Sequence, residues 1–293
     1  MAEEQTLFEQ KLNLSHEEQA KTQLVKKLAP LADLYVCDAF AAAHRDQPSL
    51  CGFQPMLLCA MGRLFETEYV ILSELMESPE HPCTFVLGGA KVADAFMMME
   101  TVLEQKAADR IITGGLVGNI LLAAQDKEIG EGSRAFIRKQ NLWDYIEVAK
   151  ALYEKYCDHI MLPTDLAWVS EGRRIEGQID KNIPEDIAAV DIGSFTAEAY
   201  YDVIRKSRTV FVNGPMGVFE EGASEHGTKL VWDALSDTDA YTVIGGGDSI
   251  TATTKYGKTD QISYICTGGG ALIRFLSGKE LPVVRALREG ADR

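Results

Sequence analysis

The sequence predicts an α/β fold: a parallel sheet of about six strands with helices on both faces, plus a smaller, mostly helical N-terminal part. In the C-terminal three quarters of the chain, short apolar runs alternate with helical patterns, which is typical of a parallel sheet with crossover helices. Five of the six runs are followed directly by glycine-rich turns, and such turns lie along the carboxyl edge of the strands. The runs are TFVL (84–87), RII (110–112), HIML (159–162), TVFV (209–212), YTVI (241–244) and SYIC (263–266).

Length and composition narrow the classes of protein. The 293 residues suffice for one large or two medium domains, and 46% apolar with 25% charged residues is ordinary for a globular protein. The 44 acidic and 29 basic residues leave a net charge of −15, which disfavours nucleic acid or an anionic membrane as a partner. Six cysteines without a C-x-x-C pair indicate reduced thiols and a cytoplasmic protein. No run approaches the ~20 apolar residues that cross a bilayer, so no membrane association is expected.

The N-terminal part contains helical signals around one strand. Ser15 and Glu18 form a possible capping box, and the apolar spacing that follows predicts one helix that ends at Pro30. The run LYVC (34–37) predicts a strand, and FETEYVILSELMES (65–78) predicts a second helix. An irregular segment connects the two.

The glycine-rich turns point to an anion. A turn that opens into a helix presents free N–H groups and the positive end of the helix dipole, and glycine lets a ligand approach the backbone closely. The sequence contains neither G-x-x-x-x-G-K-[ST] nor G-x-G-x-x-G, so the two commonest nucleotide fingerprints are absent. The turns are GGAK (88–91), TGG (113–115), NGPMG (213–217), GGGDS (245–249) and TGGG (267–270).

Three side chains beside these turns suit phosphate or metal chemistry, and each has a plainer alternative. Lys91 follows a glycine pair and could reach phosphates, or could be a solvated surface lysine. Asp248 could face Mg²⁺, which is typically held by one or two carboxylates plus substrate phosphates, or could serve as a helix N-cap. Glu220 could accept hydrogen bonds from ribose hydroxyls, or could be an exposed acid.

Two further residues lie in the loop after LYVC. Arg45, with His44 beside it, suits a carboxylate or a phosphate, and an ordinary surface ion pair is the alternative. The five histidines show no zinc-binding spacing, so the sequence predicts no zinc site. There is no G-x-S-x-G elbow and no pairing that indicates a serine or cysteine nucleophile.

The motifs together resemble those of the phosphoglycerate kinases, and DAFAAAHR resembles the archaeal branch of that family. They cover nearly the whole chain in order. The motifs are LYVCDAFAAAHR, FVLGGAKVADA, ITGGLVGN, LPTDLAW, DIG, VFVNGPMGVFE, TVIGGGDS, ISYICTGGGA and FLSGKELPVVRAL.

The resemblance implies an enzyme that transfers a phosphoryl group between 1,3-bisphosphoglycerate and MgADP, giving 3-phosphoglycerate and MgATP. It implies that residues 1–75 are a remnant of the phosphoglycerate-binding lobe, that 76–280 form a Rossmann-like nucleotide-binding lobe, and that 281–293 return toward the first lobe. It assigns nucleotide contact to Gly89, Lys91, Gly114, Gly115, Asn213, Glu220, Gly247, Asp248 and Ser249, with Asp248 also serving Mg²⁺. It assigns the transferring phosphoryl group to Gly246, Gly247, Gly269 and Gly270, and the acid substrate to Arg45 and His44.

The sequence departs from the family pattern in two ways. Ala95 stands where the family usually carries a second lysine, and the family's front motifs V-D-x-N-V-P, S-H-x-G-R-P and E-N-x-R are absent. We therefore expect an N-terminally truncated form that binds ADP or ATP with Mg²⁺ and turns over weakly or not at all. The alternative is a non-catalytic nucleotide-binding or interaction protein on the same fold. A lone strand cannot form a sheet, so we also expect exposed apolar surface near LYVC and self-association through it.

Overall fold

The computed structural model of the chain describes residues 14–291. Residues 1–13 and 292–293, parts of the predicted first and last segments, lie outside the described residues. The strands are β1 Leu34–Cys37, β2 Leu58–Met61, β3 Cys83–Leu87, β4 Arg110–Thr113, β5 Ile160–Met161, β6 Asp165–Ser170, β7 Arg173–Gln178, β8 Asp191–Ile192, β9 Thr209–Asn213, β10 Tyr241–Gly245 and β11 Tyr264–Ile265. The α-helices are α1 His16–Gln19, α2 Gln23–Leu28, α3 Pro48–Cys51, α4 Arg63–Glu77, α5 Val92–Glu104, α6 Gly115–Ala124, α7 Glu131–Lys139, α8 Tyr145–Tyr156, α9 Ser194–Lys206, α10 His226–Asp237, α11 Gly247–Lys255, α12 Gly270–Leu276 and α13 Pro282–Ala291.

The described residues form two compact units. The first contains residues 14–75 and 267–291, and the second is Met76–Cys266. This division differs from the predicted domains at one boundary, because residues 267–280 group with the N-terminal residues instead of with the larger unit. Within the described chain, no helix is both long and apolar enough to cross a membrane.

The larger unit contains a six-stranded parallel sheet in the order β11-β10-β9-β3-β4-β5, as the six apolar runs predicted. The two central strands, β3 and β9, are buried along their whole length, as expected where helices cover both faces of a sheet. The chain runs outward from β3 through β4 to β5, then returns to β9 and runs outward on the other side. The point between β3 and β9 is therefore a topological switch point, where open α/β sheets bind their ligands.

A second sheet in this unit was not predicted. Strand β6 pairs antiparallel with β7 and with β8. The β6–β7 turn places Glu171 and Gly172 at positive φ, the geometry of a two-residue hairpin.

The smaller unit corrects two predictions. The helix predicted from Ser15 to Pro30 is interrupted: the capping box at Ser15 and Glu18 is present, but α1 ends at Gln19 and α2 begins at Gln23. The hydroxyl of Thr22 donates to the carbonyl of Gln19, which satisfies that carbonyl outside a continuous helix.

The second correction is that β1 is not a lone strand. It pairs in parallel with β2, with Leu34 opposite Leu58 and Val36 opposite Ala60. The β2 run LCAM carries no β-branched or aromatic residue, so its local signal is weak. The expectation of exposed apolar surface is confirmed, because Leu34 is 52% and Leu58 is 77% exposed.

Candidate active site

The candidate site lies at the carboxyl ends of β3 and β9, where two glycine-rich turns are joined by backbone hydrogen bonds. Gly88 N donates to the carbonyl of Asn213 at 3.0 Å, and Gly89 N donates to the carbonyl of Pro215 at 2.7 Å. Because both turns follow central strands of one parallel sheet, they meet at the same edge.

The turns after β4 and β10 join the same framework. Gly115 N donates to the carbonyl of Met216 at 2.6 Å, which fixes the turn after β4 against the turn after β9. On the other side, Gly214 N donates to the Ser249 hydroxyl at 2.7 Å, and the Asn213 amide donates to the carbonyl of Gly245 at 3.1 Å. Four of the five predicted turns are thus connected at one edge of the sheet.

Most glycines in these turns are required by packing between the turns. A Cβ on Gly88 would lie 2.2 Å from the Pro215 carbonyl oxygen, and one on Gly115 would lie 2.7 Å from Gly89 N. Gly114 is buried against Met216 and lines neither of the cavities of this site, and the nucleotide contact assigned to it stays a prediction. Gly247 differs, because a Cβ there would meet no atom within 4 Å. The protein itself therefore does not require glycine at position 247.

Two adjoining cavities open beside these turns, and they share Gly89, Ala90 and Asp248. The larger has a volume of about 310 Å³ and includes Glu220 at its wall. Its apolar lining includes Leu116, Phe136, Leu166, Val190, Ile192 and Val218. The smaller cavity is lined by Gly88, Gly89, Ala90, Lys91, Asn213, Gly214, Gly246, Gly247, Asp248 and Ser249. The two cavities thus contain the predicted nucleotide residues other than Gly114, while the apolar wall was not predicted.

The charged side chains of the smaller cavity are free for a ligand. Gly246, not Asp248, is the N-cap residue of α11, and no side chain caps that helix, so the alternative of Asp248 as a helix N-cap is wrong. The Asp248 carboxylate is exposed at the wall of both cavities. Lys91 is exposed at the start of α5 and forms no ion pair with a described residue. One carboxylate and one cation therefore face the same space as the N–H groups at the start of α11, which have no partner within the helix.

The remaining predicted residues belong to the smaller unit. The imidazole of His44 packs on Gly270, where a Cβ would lie 2.8 Å from Nε2. Burial lowers the pKa of His44, and the neighbouring charge of Arg45 lowers it further, so the ring is neutral at pH 7. Arg45 is exposed, and a Cβ on Gly269 would meet no atom within 4 Å. The structure thus brings His44 to the start of α12 within this unit.

One charged residue of the larger cavity was missed by sequence reasoning. Asp191 is buried beneath the cavity, where it accepts hydrogen bonds from Arg174 Nη1 at 2.9 Å and from Gly227 N at 2.7 Å. Burial raises the pKa of its carboxyl to about 6 despite these partners. The motif DIG contains this residue, but nothing local to the motif indicates burial.

Asp191→Asn is expected to change how stability depends on pH. The pKa of the Asp191 carboxyl is higher in the folded than in the unfolded chain. The folded state therefore binds the carboxyl proton more tightly than the unfolded state does. This proton adds about 3 kcal/mol to the free energy of unfolding below pH 3.8, and the contribution is lost as the pH rises through about 6. Urea unfolding followed by tryptophan fluorescence from pH 4 to 7 measures it, and the Asn variant should lack this decline.

Asp260→Asn provides the control, since Asp260 is exposed. Loss of the contact with Arg174 shifts the stability of Asp191→Asn by a constant amount, so the change in slope with pH alone reports the titration of Asp191. Parallel pH profiles for the parent chain and Asp191→Asn would contradict the raised pKa.

The comparisons with known proteins agree with this geometry. The family model described as phosphoglycerate kinase matches residues 2–279. The phosphoglycerate kinase of Methanothermobacter thermautotrophicus is 44% identical over 281 residues, which is 96% of this chain and 68% of that protein. The phosphoglycerate kinase of Thermococcus kodakarensis is 41% identical over 97% of this chain and 70% of its own.

Two solved structures are similar to the chain. The crystal structure of phosphoglycerate kinase from Pyrococcus horikoshii superposes with a TM-score of 0.88 at 41% identity, covering 96% of this chain and 70% of that one. The structure of phosphoglycerate kinase from Coxiella burnetii gives a TM-score of 0.83 at 33% identity, covering 94% and 70%. Taken with the four connected glycine turns and their cavities, these similarities show that the chain belongs to the phosphoglycerate kinase family of phosphotransferases.

Proposed function

We propose that Met76–Cys266 binds the nucleotide substrate, ADP or ATP, with its phosphates in the smaller cavity and its base in the larger. The observation that carries this proposal is the convergence of Lys91, Asp248 and the start of α11 on one space. The apolar wall of the adjoining cavity suits a planar base, and Glu220 at that wall suits the ribose hydroxyls. We expect Asn213 and Ser249 to act mainly by holding the turns in place.

The residues present fit Mg²⁺. Asp248 offers an exposed carboxylate without a capping role, and the open space at Gly247 lets phosphate oxygens approach beside it. Mg²⁺ is commonly held by one or two carboxylates together with substrate phosphates. When bound, the ion neutralises charge on the phosphate oxygens. Asp248 would hold it, while Lys91 and the amides of Gly246 and Gly247 would stabilise the remaining negative charge.

The acid substrate would use the smaller unit. Arg45 suits the carboxylate or phosphate of 3-phosphoglycerate, and neutral His44 beside it can donate or accept a hydrogen bond. The exposed amides of Gly269 and Gly270 would face the transferring phosphoryl group. Glu68 supports this turn, because its fully buried carboxylate accepts a hydrogen bond from Thr267 N at 2.7 Å.

We further propose that the 293-residue chain on its own turns over slowly. Position 95, where the family usually carries a lysine, is an alanine that is 1% exposed, so the cavity has no second cation from α5. Loss of one well-placed group that stabilises the transition state typically costs about 10²- to 10³-fold in rate. The alternative, a non-catalytic nucleotide-binding protein, rests on the same observation. The six unpaired cysteines support a reducing compartment such as the cytoplasm.

Calorimetric titration of the 293-residue chain with MgADP tests the nucleotide proposal. We expect a dissociation constant below ~1 mM, within the usual range for substrates. Gly247→Ala should weaken binding at least about tenfold, equivalent to ~1.4 kcal/mol, because its methyl would enter the space of the phosphates. Gly222→Ala is the matched control, since a Cβ there also meets no atom within 4 Å. Absence of heat at millimolar nucleotide would contradict the proposal.

A coupled assay with 3-phosphoglycerate and MgATP tests turnover separately. We expect a rate below the ~1–100 s⁻¹ that is usual for kinases. A rate within that range would show that the 293 residues suffice for catalysis. Nucleotide binding without any detectable turnover would favour the non-catalytic alternative.

We also propose that the exposed face of the β1–β2 sheet mediates self-association with a second copy of the chain. Leu34, Val36 and Leu58 are at least half exposed on this face, whereas parallel sheets are normally covered on both faces. Light scattering over a concentration series should detect dimers or larger species, and Leu58→Lys should reduce them. Val148→Lys, at a half-exposed position of α8, is the control. A monomer at high concentration would contradict this proposal.

A further inference from the structure

A third cavity, of about 400 Å³, is lined by residues of the smaller unit only. His16, at the start of α1, and Asp46 line it, together with Arg285 and Glu289 of α13. Cys51, at the end of α3, lies next to the first two residues. One ligand atom from each of His16, Asp46 and Cys51 lies within 4.8 Å of the other two.

The hydrogen bonds of His16 leave one ring nitrogen available. Nδ1 lies 2.7 Å from Glu289 Oε2, and because a carboxylate only accepts, Nδ1 carries the proton. Nε2 is buried without a hydrogen-bond partner. The nearest carboxylate oxygen, Asp46 Oδ1, is 3.6 Å away, too far for a hydrogen bond.

A cation between Nε2 and the Asp46 carboxylate stabilises this arrangement, and it is either a second ring proton or a metal ion bound through the Nε2 lone pair. His16 is 8% exposed, so water does not solvate its ring freely. The Cys51 residue is fully buried as well, and the hydrogen bond from its sulfur to the Arg45 carbonyl is long at 3.8 Å. Nε2 and the Cys51 sulfur therefore lack strong competing partners, whereas Asp46 Oδ1 accepts one hydrogen bond from Gln19 and keeps a further lone pair.

We propose that His16 Nε2, Asp46 Oδ1 and Cys51 Sγ bind a divalent transition-metal ion, with Zn²⁺ as the best match. Zn²⁺ prefers nitrogen, sulfur and carboxylate ligands in a tetrahedron, in which neighbouring ligand atoms are ~3.3–3.6 Å apart. The 3.6 Å between Nε2 and Oδ1 fits that spacing. Three protein ligands leave the fourth position for water.

The surroundings of these ligands resemble the outer shell of known metal sites. Glu289 holds the His16 ring in the tautomer that a metal needs, as carboxylates commonly do for metal-binding histidines. Asp46 is held by the Gln19 amide at 2.6 Å and by Arg285 at 2.9 Å, and these bonds leave lone pairs on Oδ1.

Binding to the neutral His16 ring releases one proton. The Cys51 S–H bond breaks, the proton passes to solvent, and the thiolate lone pair forms the sulfur–metal bond, while Nε2 and Oδ1 each contribute an existing lone pair. No oxidant or reductant takes part. The spacing of histidines along the sequence predicted no zinc site, because the three ligands are distant in sequence and only the fold brings them together.

Cobalt(II) substitution tests the proposal on the 293-residue chain, without nucleotide or Mg²⁺. After chelator treatment, addition of Co²⁺ should produce the near-ultraviolet charge-transfer band of a thiolate–cobalt bond, and Zn²⁺ should displace it. Cys51→Ser should abolish the band. Cys157→Ser, which changes an exposed cysteine of the other unit, should leave it intact.

Two further variants separate metal binding from folding. Asp46→Asn, at a partly exposed position, should lower the affinity for Zn²⁺, measured by competition with a colorimetric chelator. Circular dichroism reports whether the variant folds. Glu289→Gln should weaken Zn²⁺ about 10- to 100-fold, as expected for an outer-shell partner, and should keep the thiolate band. Absence of the band in the parent chain, or its survival in Cys51→Ser, would overturn the proposal. Neither result bears on MgADP binding, which occurs in the other unit.

Discussion

Asp248→Asn is expected to weaken MgADP binding about 10- to 100-fold and to leave the binding of metal-free ADP unchanged or slightly stronger. The asymmetry follows from charge. With Mg²⁺ present, the carboxylate at the start of α11 attracts the ion, an interaction of about 1.5–3 kcal/mol for a charged group. Without Mg²⁺, the same carboxylate repels the phosphates that Lys91 and the helix amides attract.

Titration calorimetry with ADP, in the presence of Mg²⁺ and of a chelator, measures the two effects. Asp239→Asn is the matched control, because it removes the same charge from an exposed position at the opposite end of β10. An equal loss of affinity with and without Mg²⁺ would contradict a metal-binding role. It would indicate instead that the substitution disturbs the turn.

The strands and turns of the larger unit were predictable because their signals are local. A buried parallel strand reads as an apolar run, and the turn that follows it reads as glycine, whatever the rest of the chain does. All six runs form the predicted sheet. Strand β2 was missed because its stability comes from pairing with β1, and its own residues do not favour a strand.

The roles of individual glycines were not predictable from their motifs. The sequence indicated a ligand from five glycine turns taken together, and the structure shows that packing between neighbouring turns already requires glycine at Gly88, Gly114 and Gly115. Which turns touch depends on the order of strands in the sheet, a long-range property of the fold. Gly247 could be separated from the others only by the space around it.

Two further features, the buried Asp191 and the cluster around His16, also depend on contacts between residues that are distant along the chain. Asp191 gains its raised pKa from burial beneath residues that are distant along the chain, and His16 meets Cys51 only through the packing of short helices. Lys91 and Asp248 line the smaller cavity because each stands next to a turn whose position the strand pattern already determines.

Gly214→Ala should therefore destabilise the larger unit severely, by more than about 4 kcal/mol. Gly214 has φ +96°, where an L side chain is strained, and its Cβ would lie 2.3 Å from the carbonyl oxygen of Gly88. Neither backbone can move without breaking the hydrogen bonds that connect the turns after β3, β9 and β10.

Two other glycines separate the two causes of this loss. Gly172 has φ +74° with open space around it, so Gly172→Ala should cost only the strain, about 1–2 kcal/mol. Gly222 has neither constraint, so Gly222→Ala should stay within about 0.5 kcal/mol. Urea unfolding followed by tryptophan fluorescence reports on the larger unit alone, since all three tryptophans, Trp143, Trp168 and Trp232, lie in Met76–Cys266. If Gly214→Ala cost no more than Gly172→Ala, the contact between turns would contribute nothing, and the connected framework would not be what positions Asp248.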